Sequence, residues 1–590
     1  MTHKKPLIVL IVVAFIMLLL LATPFFVAWN LLDGKWPAVP VSFSDDLYYY
    51  ARIREVIDGK FFLGNPYFLE HSHEIPPAFF VADWLAAIPL MIGIPLLPAA
   101  AGNFVLWSMI FFLISYLLCR QVSATPRSAL AGSIMAYALS YTLILRPVSM
   151  QIIFPFFLLF LFSYARWLEK PFQKNRIILL TSSFAFSFYL YTYFWQITTG
   201  IMALSLLYFL MTKRISEACR LLLVLVGGVF LAIPMIIFIV GAWAHPFFWE
   251  SMVRIGLVYT HVPTAETFYS GQWIVAVLML WWASLRWIPS LRADVMYRQS
   301  FLFFSLSGLA MIGVSASNLI TGKELETAQH VARFIGIWLG IAYIRWCSIF
   351  FSQGYSGVRF VPMKKLFLLA CLLAWSTVGI GTYLENVSVL FPSLDHRRTA
   401  QENQTFFPPL HWLEQQESVP HVVWTHPGSR IDTFVPILTK HYVLFSNPGI
   451  LHLLSSDEAE ERYLISRYFS SLSVADIERD TREYAGVGFS HHQYKTHNRK
   501  VRLCRLLRLS LVGVACGEYH DAVTHAGKFY FEQLSERYRN DIIPQIEKKL
   551  TQYHVTYIIF DASSTIPFAP EALSNTRLEY DDGRFRIYRR

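Results

Sequence analysis

The sequence predicts a polytopic α-helical membrane protein that ends in a C-terminal extracytoplasmic α/β domain. Of its 590 residues, 55% are hydrophobic and 15% are charged, whereas soluble globular proteins average about 25% charged residues. Apolar windows of about 20 residues, long enough to cross a bilayer, recur up to about residue 384. Residues 385–590 are polar enough for a soluble domain. We therefore expect a transmembrane domain over 1–384, with a first outer loop at 31–99, followed by a soluble domain over 385–590.

Eleven apolar segments are expected to span the membrane. The first, Pro6–Asn30, is too long in its apolar core for a signal peptide and is expected to remain as an uncleaved helix. The others centre on 100–119, 128–145, 149–165, 177–195, 197–212, 221–243, 272–287, 300–317, 334–351 and 366–384. A twelfth stretch, Ala78–Leu97, contains two prolines and a glycine and is followed by Pro98, and we do not expect it to cross fully.

Loop charges predict the orientation. With the N-terminus inside, the cytoplasmic loops hold 18 basic residues and three acidic ones, while the outer loops of the membrane half hold eight basic and twelve acidic residues. This positive-inside bias places the N-terminus in the cytoplasm. An odd number of spans then puts the C-terminal domain outside. The net charge of +10 is thus an orientation signal, and it gives no support for a nucleic-acid partner.

The tail beyond residue 384 alternates short β-type runs with helical patterns. The runs are 421–424 and 555–560, the helical patterns are 457–470 and 528–550, and Asp582-Gly583 predicts a terminal hairpin over 580–588. Cys504 and Cys516 could pair if this tail lies outside the cytoplasm. The six cysteines together fit neither a disulfide framework nor a zinc ribbon.

The strongest polar cluster opens the first outer loop, over residues 42–59. Ser44 or Asp45 can cap a helix that Gly59 ends, and an apolar stripe runs along that helix at Tyr49, Ile53, Val56 and Ile57. We expect the helix to lie along the membrane surface, with the carboxylates of Asp45 and Asp46 at its N-terminus. The alternative is that the two acids only cap the helix and complement its dipole.

This loop resembles the first-loop motif of the GT-C membrane glycosyltransferases. Their pattern is an acid pair after the first span, a Tyr and then an Arg-Glu pair, and it is matched here by Asp45, Asp46, Tyr49, Arg54 and Glu55. The nearest patterns are the bacterial aminoarabinose transferases and the protein O-mannosyltransferases, and oligosaccharyltransferases carry a related Asp. Similarity continues through residues 64–77 and 585–589, and in the plan of eleven to thirteen spans. The Trp-Trp-Asp-Tyr-Gly motif of oligosaccharyltransferases is missing, which makes asparagine-linked transfer a poorer fit.

The resemblance implies sugar transfer from a polyprenyl-phosphate-linked donor to an acceptor glycan, lipid or protein. It also implies an integral protein of a bacterial inner membrane that works on the extracytoplasmic side. Asp45 then takes the catalytic position, where a carboxylate can accept the acceptor's proton and stabilise a developing oxocarbenium centre. Asp46 would hydrogen-bond the acceptor or hold a divalent ion.

A second polar cluster is Glu70-His71-Ser72-His73-Glu74. Glu70 and His71 could join Asp45 and Asp46 around a cation, for which these ligands would suit Mg²⁺ or Mn²⁺. No cofactor is firmly indicated, because an exposed polar loop explains the cluster better.

A lipid-phosphate donor needs cations on the outer side, and an Arg fork suits a phosphate diester. Arg254 and Arg333 are the donor-phosphate candidates, and Arg146 is a weaker one. The alternative for each is a side chain that snorkels to the interface. Glu324, Glu326 and His330 share one short outer loop, where His330 and Glu324 are candidate proton carriers. The alternative is a solvated turn.

Two other classes of function compete with glycosyl transfer. A transporter or flippase of lipid-linked sugars would place ionisable residues at mid-membrane and often shows internal repeats. Here the acids collect at the outer face and no repeat is visible. A non-catalytic scaffold, whose outer domain binds a cell-wall component, is the third possibility.

Overall fold

The computed structural model describes residues 26–35, 38–39, 46–76, 79–122, 125–287, 289–353, 394–487, 491–520 and 527–590. Most of the predicted first span, the whole of the predicted last span and Asp45 lie outside these described residues.

The membrane half is helical, as predicted. Its helices are α1 (Asp46–Ile57), α2 (Val81–Met91), α3 (Leu96–Gln121), α4 (Pro126–Ala138), α5 (Tyr141–Ile144), α6 (Ser149–Glu169), α7 (Lys174–Leu190), α8 (Thr192–Met211), α9 (Ile215–Trp243), α10 (Phe248–Ile255), α11 (Ala265–Trp287), α12 (Pro289–Ala293), α13 (Val295–Ser315), α14 (Asn318–Thr321) and α15 (Thr327–Gln353). Two short strands, β1 (Val258–Tyr259) and β2 (Lys323–Glu324), pair antiparallel between outer loops. Among the described residues, six helical segments are long and apolar enough to cross a bilayer. The protein is therefore an integral, multi-pass membrane protein.

The doubtful segment 78–97 forms a helix that is too short to cross. Helix α2 has 11 residues, which at 1.5 Å per residue span about 17 Å against a hydrocarbon core of about 30 Å. It ends at Ile92, before Gly93 turns the chain with a φ of +89°. The length of α2 agrees with the expectation that this segment does not cross fully.

Two expected spans differ in their boundaries from the helices observed. The segment 128–145 is divided between α4 and α5. The segment 177–195 ends early, because Tyr191 is extended (φ −165°, ψ 136°) and α8 starts at the next residue. The aromatic run 188–195 therefore contains a turn, which exposes the Tyr191 hydroxyl to a neighbouring helix.

Helix ends that were assigned to the same face lie together. At the ends predicted to be cytoplasmic, Glu169 accepts hydrogen bonds from Gln121 and Arg176, both at 2.8 Å. At the ends predicted to be outer, Tyr191 is bonded to His330, at the start of α15.

The C-terminal region is an α/β domain, as predicted. Its strands are β3 (Val422–Thr425), β4 (Tyr442–Val443), β5 (Val555–Asp561), β6 (Arg577–Asp581) and β7 (Phe585–Arg589), and its helices are α16 (Leu394–Thr405), α17 (Phe407–Gln416), α18 (Ile431–Leu438), α19 (Ser456–Ser466), α20 (Val474–Arg479), α21 (Thr481–Tyr484), α22 (His491–Leu506), α23 (Lys528–Arg537) and α24 (Ile546–Gln552). The sheet order is β4-β3-β5-β7-β6, parallel over the first three strands and antiparallel over the last two. The predicted terminal hairpin is thus β6–β7.

The first outer loop is built into the core of this domain. Strand β3 is buried along its whole length, so the sheet is covered on both faces. On one face, Val423 and Ile559 belong to a cluster that also contains Leu47 of α1 and Tyr67. The packing of these apolar side chains fixes α1 against the C-terminal domain.

Cys504 and Cys516 form a disulfide. Cys119 and Cys347 are buried free thiols, and Cys219 is an exposed one. This is the pairing that the sequence left open.

Candidate active site at the outer helix ends

Helix α1 carries the first-loop motif and forms close to where the sequence places it. It covers Asp46–Ile57, and Gly59, with a φ of +86°, ends it. Asp46 lies in the first turn and is buried. The predicted apolar stripe is wrong at Ile57, which is 38% exposed. The helix instead buries polar residues, because it lies between α2 and the C-terminal domain.

A buried ion pair that the sequence did not suggest locks α1 to α2. The Arg52 guanidinium donates to both carboxylate oxygens of Asp83, at 3.0 and 2.7 Å, and both side chains are 2% exposed. Arg52 also donates to the Phe79 carbonyl at 2.6 Å and to the Tyr48 hydroxyl at 3.2 Å. With its donors satisfied in this way, Arg52 fixes the angle at which α1 enters the loop.

The Arg-Glu pair of the motif faces the C-terminal domain and the rest of the loop. Arg54 bonds Asp58 at 3.0 Å and Glu414 at 2.9 Å. Glu55 accepts from Lys60 Nζ at 2.6 Å and from the Gly64 amide at 3.1 Å. Both residues thus hold the loop in shape.

Three helix ends converge near α1, and we call their polar side chains the outer cluster: Arg146, Tyr191, Tyr193, His330 and Arg333. The Tyr191 hydroxyl is hydrogen-bonded to His330 Nδ1 and accepts from Arg333 Nη1 at 3.4 Å. The Tyr193 ring stacks on the His330 imidazole with centroids 4.3 Å apart. Tyr193 also donates to the Leu325 carbonyl, which ties the loop before α15 to α8.

Helix α1 touches the outer cluster through Tyr49. The Arg146 guanidinium lies over the Tyr49 ring at 5.9 Å from its centroid, within cation–π range. His330 Nε2 lies 3.5 Å from a Glu326 carboxylate oxygen. The cluster therefore combines two guanidinium groups, an imidazole and two phenols beside the motif helix, a donor set suited to a phosphate.

Arg254, a predicted donor-phosphate residue, binds the C-terminal domain instead. Its side chain is buried and donates to the carbonyls of Ile450 at 2.8 Å, His452 at 3.3 Å and Leu454, and to the Ser456 hydroxyl at 3.1 Å. Burial lowers the pKa of Arg254 to about 10, although the Glu250 carboxylate opposes this effect. The backbone of Arg254 also packs closely against Gly486, where a Cβ would lie 2.4 Å from the Arg254 carbonyl oxygen. Arg254 therefore joins the membrane half to the C-terminal domain.

Glu70 and His71 are also engaged with the C-terminal domain. Glu70 pairs with Arg462 at 2.6 Å, and His71 Nε2 lies 2.9 Å from Glu458. Burial lowers the pKa of His71, but the carboxylates of Glu458 and Glu74 outweigh burial and raise it to about 9. The pKa of Glu458 falls to about 2 because His71 and Arg462 outweigh the effect of burial.

Within the described ranges, no group of three His, Cys, Asp or Glu residues is placed to hold a metal ion. Glu70 and His71, two of the predicted ligands, are held by Arg462 and Glu458 instead.

Glu324 and His330 have different ion-pair partners. It pairs with Arg499 of α22 at 2.6 Å, whereas the carboxylate nearest His330 is that of Glu326. The sequence groups Glu324, Glu326 and His330 in one loop, but it does not indicate which of the two acids faces the imidazole.

No model of a known protein family matches the chain. No curated protein sequence matches it. Among solved structures it is similar to ArnT from Cupriavidus metallidurans bound to undecaprenyl phosphate, with 12% identity over 72% of this chain and 85% of that chain and a TM-score of 0.43. It is also similar to the oligosaccharyltransferase of Archaeoglobus fulgidus tethered with an acceptor peptide containing the NVT sequon, with 12% identity over 92% of this chain and 69% of that chain and a TM-score of 0.44.

Proposed function

We propose that the protein is a membrane glycosyltransferase that moves a sugar from a polyprenyl-phosphate-linked donor to an acceptor on the extracytoplasmic side. One observation carries the proposal. The helix with the acid–Tyr–Arg-Glu motif contacts, through Tyr49, a cluster that holds the guanidinium groups of Arg146 and Arg333. The buried carboxylate of Asp46, in the first turn of the same helix, and cations suited to a phosphate leaving group thus lie at one set of helix ends.

Each group has a defined task in the transfer. Asp45, the acid that precedes Asp46 in the motif, accepts the proton of the acceptor nucleophile. The nucleophile bonds to the anomeric carbon of the donor sugar as the bond from that carbon to the phosphate oxygen breaks. Arg333 and Arg146 stabilise the negative charge that stays on the polyprenyl phosphate. Asp46 hydrogen-bonds the acceptor.

His330 and Tyr191 complete the phosphate side of the site. The imidazole is bonded to Tyr191, which in turn receives a hydrogen bond from Arg333. These two hydrogen bonds hold the Arg333 guanidinium in one orientation. His330 carries a proton to the departing phosphate.

Three features support the extracytoplasmic side. Positive-inside bias assigns the ends that form the outer cluster to the extracytoplasmic face. The C-terminal domain contacts loops of that same face through Arg254 and Glu70. That domain contains the Cys504–Cys516 disulfide, and such bonds persist in oxidising compartments.

The test is a transfer assay in proteoliposomes that contain a labelled pool of polyprenyl-phosphate-linked sugars and a membrane extract as acceptor. Asp45→Asn should abolish transfer while leaving expression and thermal unfolding unchanged. Asp33→Asn is the matched control, because Asp33 is an exposed acid of the same loop that pairs with Arg397 at 3.3 Å. Full transfer by Asp45→Asn would exclude the proposed base.

A further inference from the structure

The C-terminal domain carries an apolar hairpin that the proposed function does not use. We call residues 496–520 the tail hairpin. It consists of residues 496–506 of α22, a turn at 507–513 and a returning segment at 514–520. The disulfide between Cys504 and Cys516 joins its two arms. Arg505 adds a hydrogen bond to the Gly517 carbonyl at 3.1 Å and lies over the Tyr519 ring at 4.7 Å. The hairpin therefore has a closed, fixed shape.

The tip of the tail hairpin is strongly apolar and exposed. Leu506 is 76% exposed, Leu511 is 79% exposed and Val512 is 75% exposed, with Leu507 beside them at 58%. Four large aliphatic side chains together at one tip are unusual for a surface that faces only water. Such a tip is typical of a segment that is buried in a membrane or against another protein.

A band of cations borders this apolar tip. Lys500, Arg502, Arg505 and Arg508 are all exposed, and in the tail hairpin only Glu518 carries a negative charge. An apolar tip with basic residues behind it matches the headgroup region of a bilayer, where the aliphatic groups enter the acyl boundary and the cations meet lipid phosphates.

The base of the tail hairpin is attached to the membrane half. Thr496 donates to the Tyr259 carbonyl at 3.0 Å, and Arg499 pairs with Glu324 at 2.6 Å. Tyr259 lies six residues before α11, and Glu324 lies three residues before α15. Both anchors are thus on short loops next to predicted outer ends of membrane helices, so the hairpin starts close to the bilayer surface.

We propose that the tip of the tail hairpin inserts into the extracytoplasmic headgroup layer of the bilayer that holds the membrane half. The apolar residues 506, 507, 511 and 512 enter the layer, and Arg502 and Arg508 bind lipid phosphates. This contact provides a second anchor that holds the C-terminal domain against the membrane. It does not depend on the proposed sugar transfer.

The test measures the depth of a nitroxide label in full-length protein reconstituted, one copy each, into nanodiscs that contain anionic phospholipid. The label is attached at Leu511→Cys or Leu507→Cys, in a background in which Cys219 and Cys371 are Ser. Leu578→Cys is the control, since Leu578 is an exposed leucine of the same domain, 47% exposed, outside the hairpin. Two label positions in the tip keep the test decisive if one variant misfolds.

Labels at 511 and 507 should be at least several-fold more accessible to oxygen than to a water-soluble nickel complex, while the label at 578 shows the reverse order. Nickel accessibility at 511 and 507 equal to that at 578 would overturn the proposal. Dipolar broadening between labels in dilute liposomes would also overturn it, because it would show that a second copy of the chain covers the tip. Immobilisation of the labels only when a soluble protein is added would assign the tip to a protein partner instead.

Discussion

Two regions near the first outer loop are rich in charged side chains, and they differ in how these side chains are buried and paired. At the junction with the C-terminal domain, Arg254 and Arg462 are fully buried, and their donors bond carbonyl, hydroxyl or carboxylate oxygens. At the outer cluster, Arg333 is half-buried, and in the described part of the chain no carboxylate pairs with it. The junction therefore uses its charges to join two parts of the chain, whereas Arg333 has a guanidinium that the proposed phosphate site can use.

The largest expected effect comes from the junction. Arg462→Ala removes a guanidinium that bonds Glu70 at 2.6 Å, Glu458 at 2.8 Å and the Leu444 carbonyl at 3.0 Å. Losing these charge-assisted contacts, two of which are made with partly exposed carboxylates, costs about 1.5–3 kcal/mol. We expect a clear drop in the thermal unfolding temperature of the purified full-length protein. Arg479→Ala, which removes an exposed arginine, should leave it nearly unchanged, and equal shifts in the two variants would contradict the assigned role.

At the outer cluster, Arg333→Ala should weaken binding rather than folding. A hydrogen bond from a charged donor contributes about 1.5–3 kcal/mol, so affinity for undecaprenyl phosphate should fall about 10- to 100-fold. Native mass spectrometry of the detergent-purified protein measures this affinity. The control is Lys323→Ala, because Lys323 is an exposed cation nearby that lies over the Trp249 ring. An equal loss of affinity in both variants would mean that only overall charge matters.

A smaller, pH-dependent effect is expected at His71. Its pKa is raised to about 9, so its contact with Glu458 contributes stability fully below about pH 6.5 and loses it as pH rises through 9. The difference in unfolding temperature between wild type and His71→Gln should therefore be largest near pH 6 and disappear above pH 9. Glu458→Gln should remove most of this pH dependence. A difference that stays constant from pH 6 to 9.5 would contradict the pairing.

Much of the fold could be predicted from the sequence. The length of the apolar windows predicts the helices of the membrane half, and β-branched runs predict β3 and β5. Gly59 and Asp582-Gly583 mark the end of α1 and the turn of the terminal hairpin. These features are local, so neighbouring residues determine them.

The partners of the charged residues could not be predicted in this way. Arg254 and Arg333 look alike in sequence, since each is a lone arginine beside an outer helix end. They differ because the carbonyls that surround Arg254 belong to residues about 200 positions later in the chain. Arg52 and Asp83 likewise meet only once α1 has packed on α2. Only docking between distant segments distinguishes a structural charge from a binding one.

The most direct test of the central claim is photo-crosslinking with a polyprenyl phosphate that carries a photoreactive group next to its phosphate. The probe is added to the wild-type protein in nanodiscs, and labelled peptides are mapped by mass spectrometry. The account predicts labelling of peptides that contain Arg146 and Arg333, competed by unlabelled undecaprenyl phosphate. Competed labelling confined to residues 69–74 and 456–466 would place the phosphate at the junction and contradict the account.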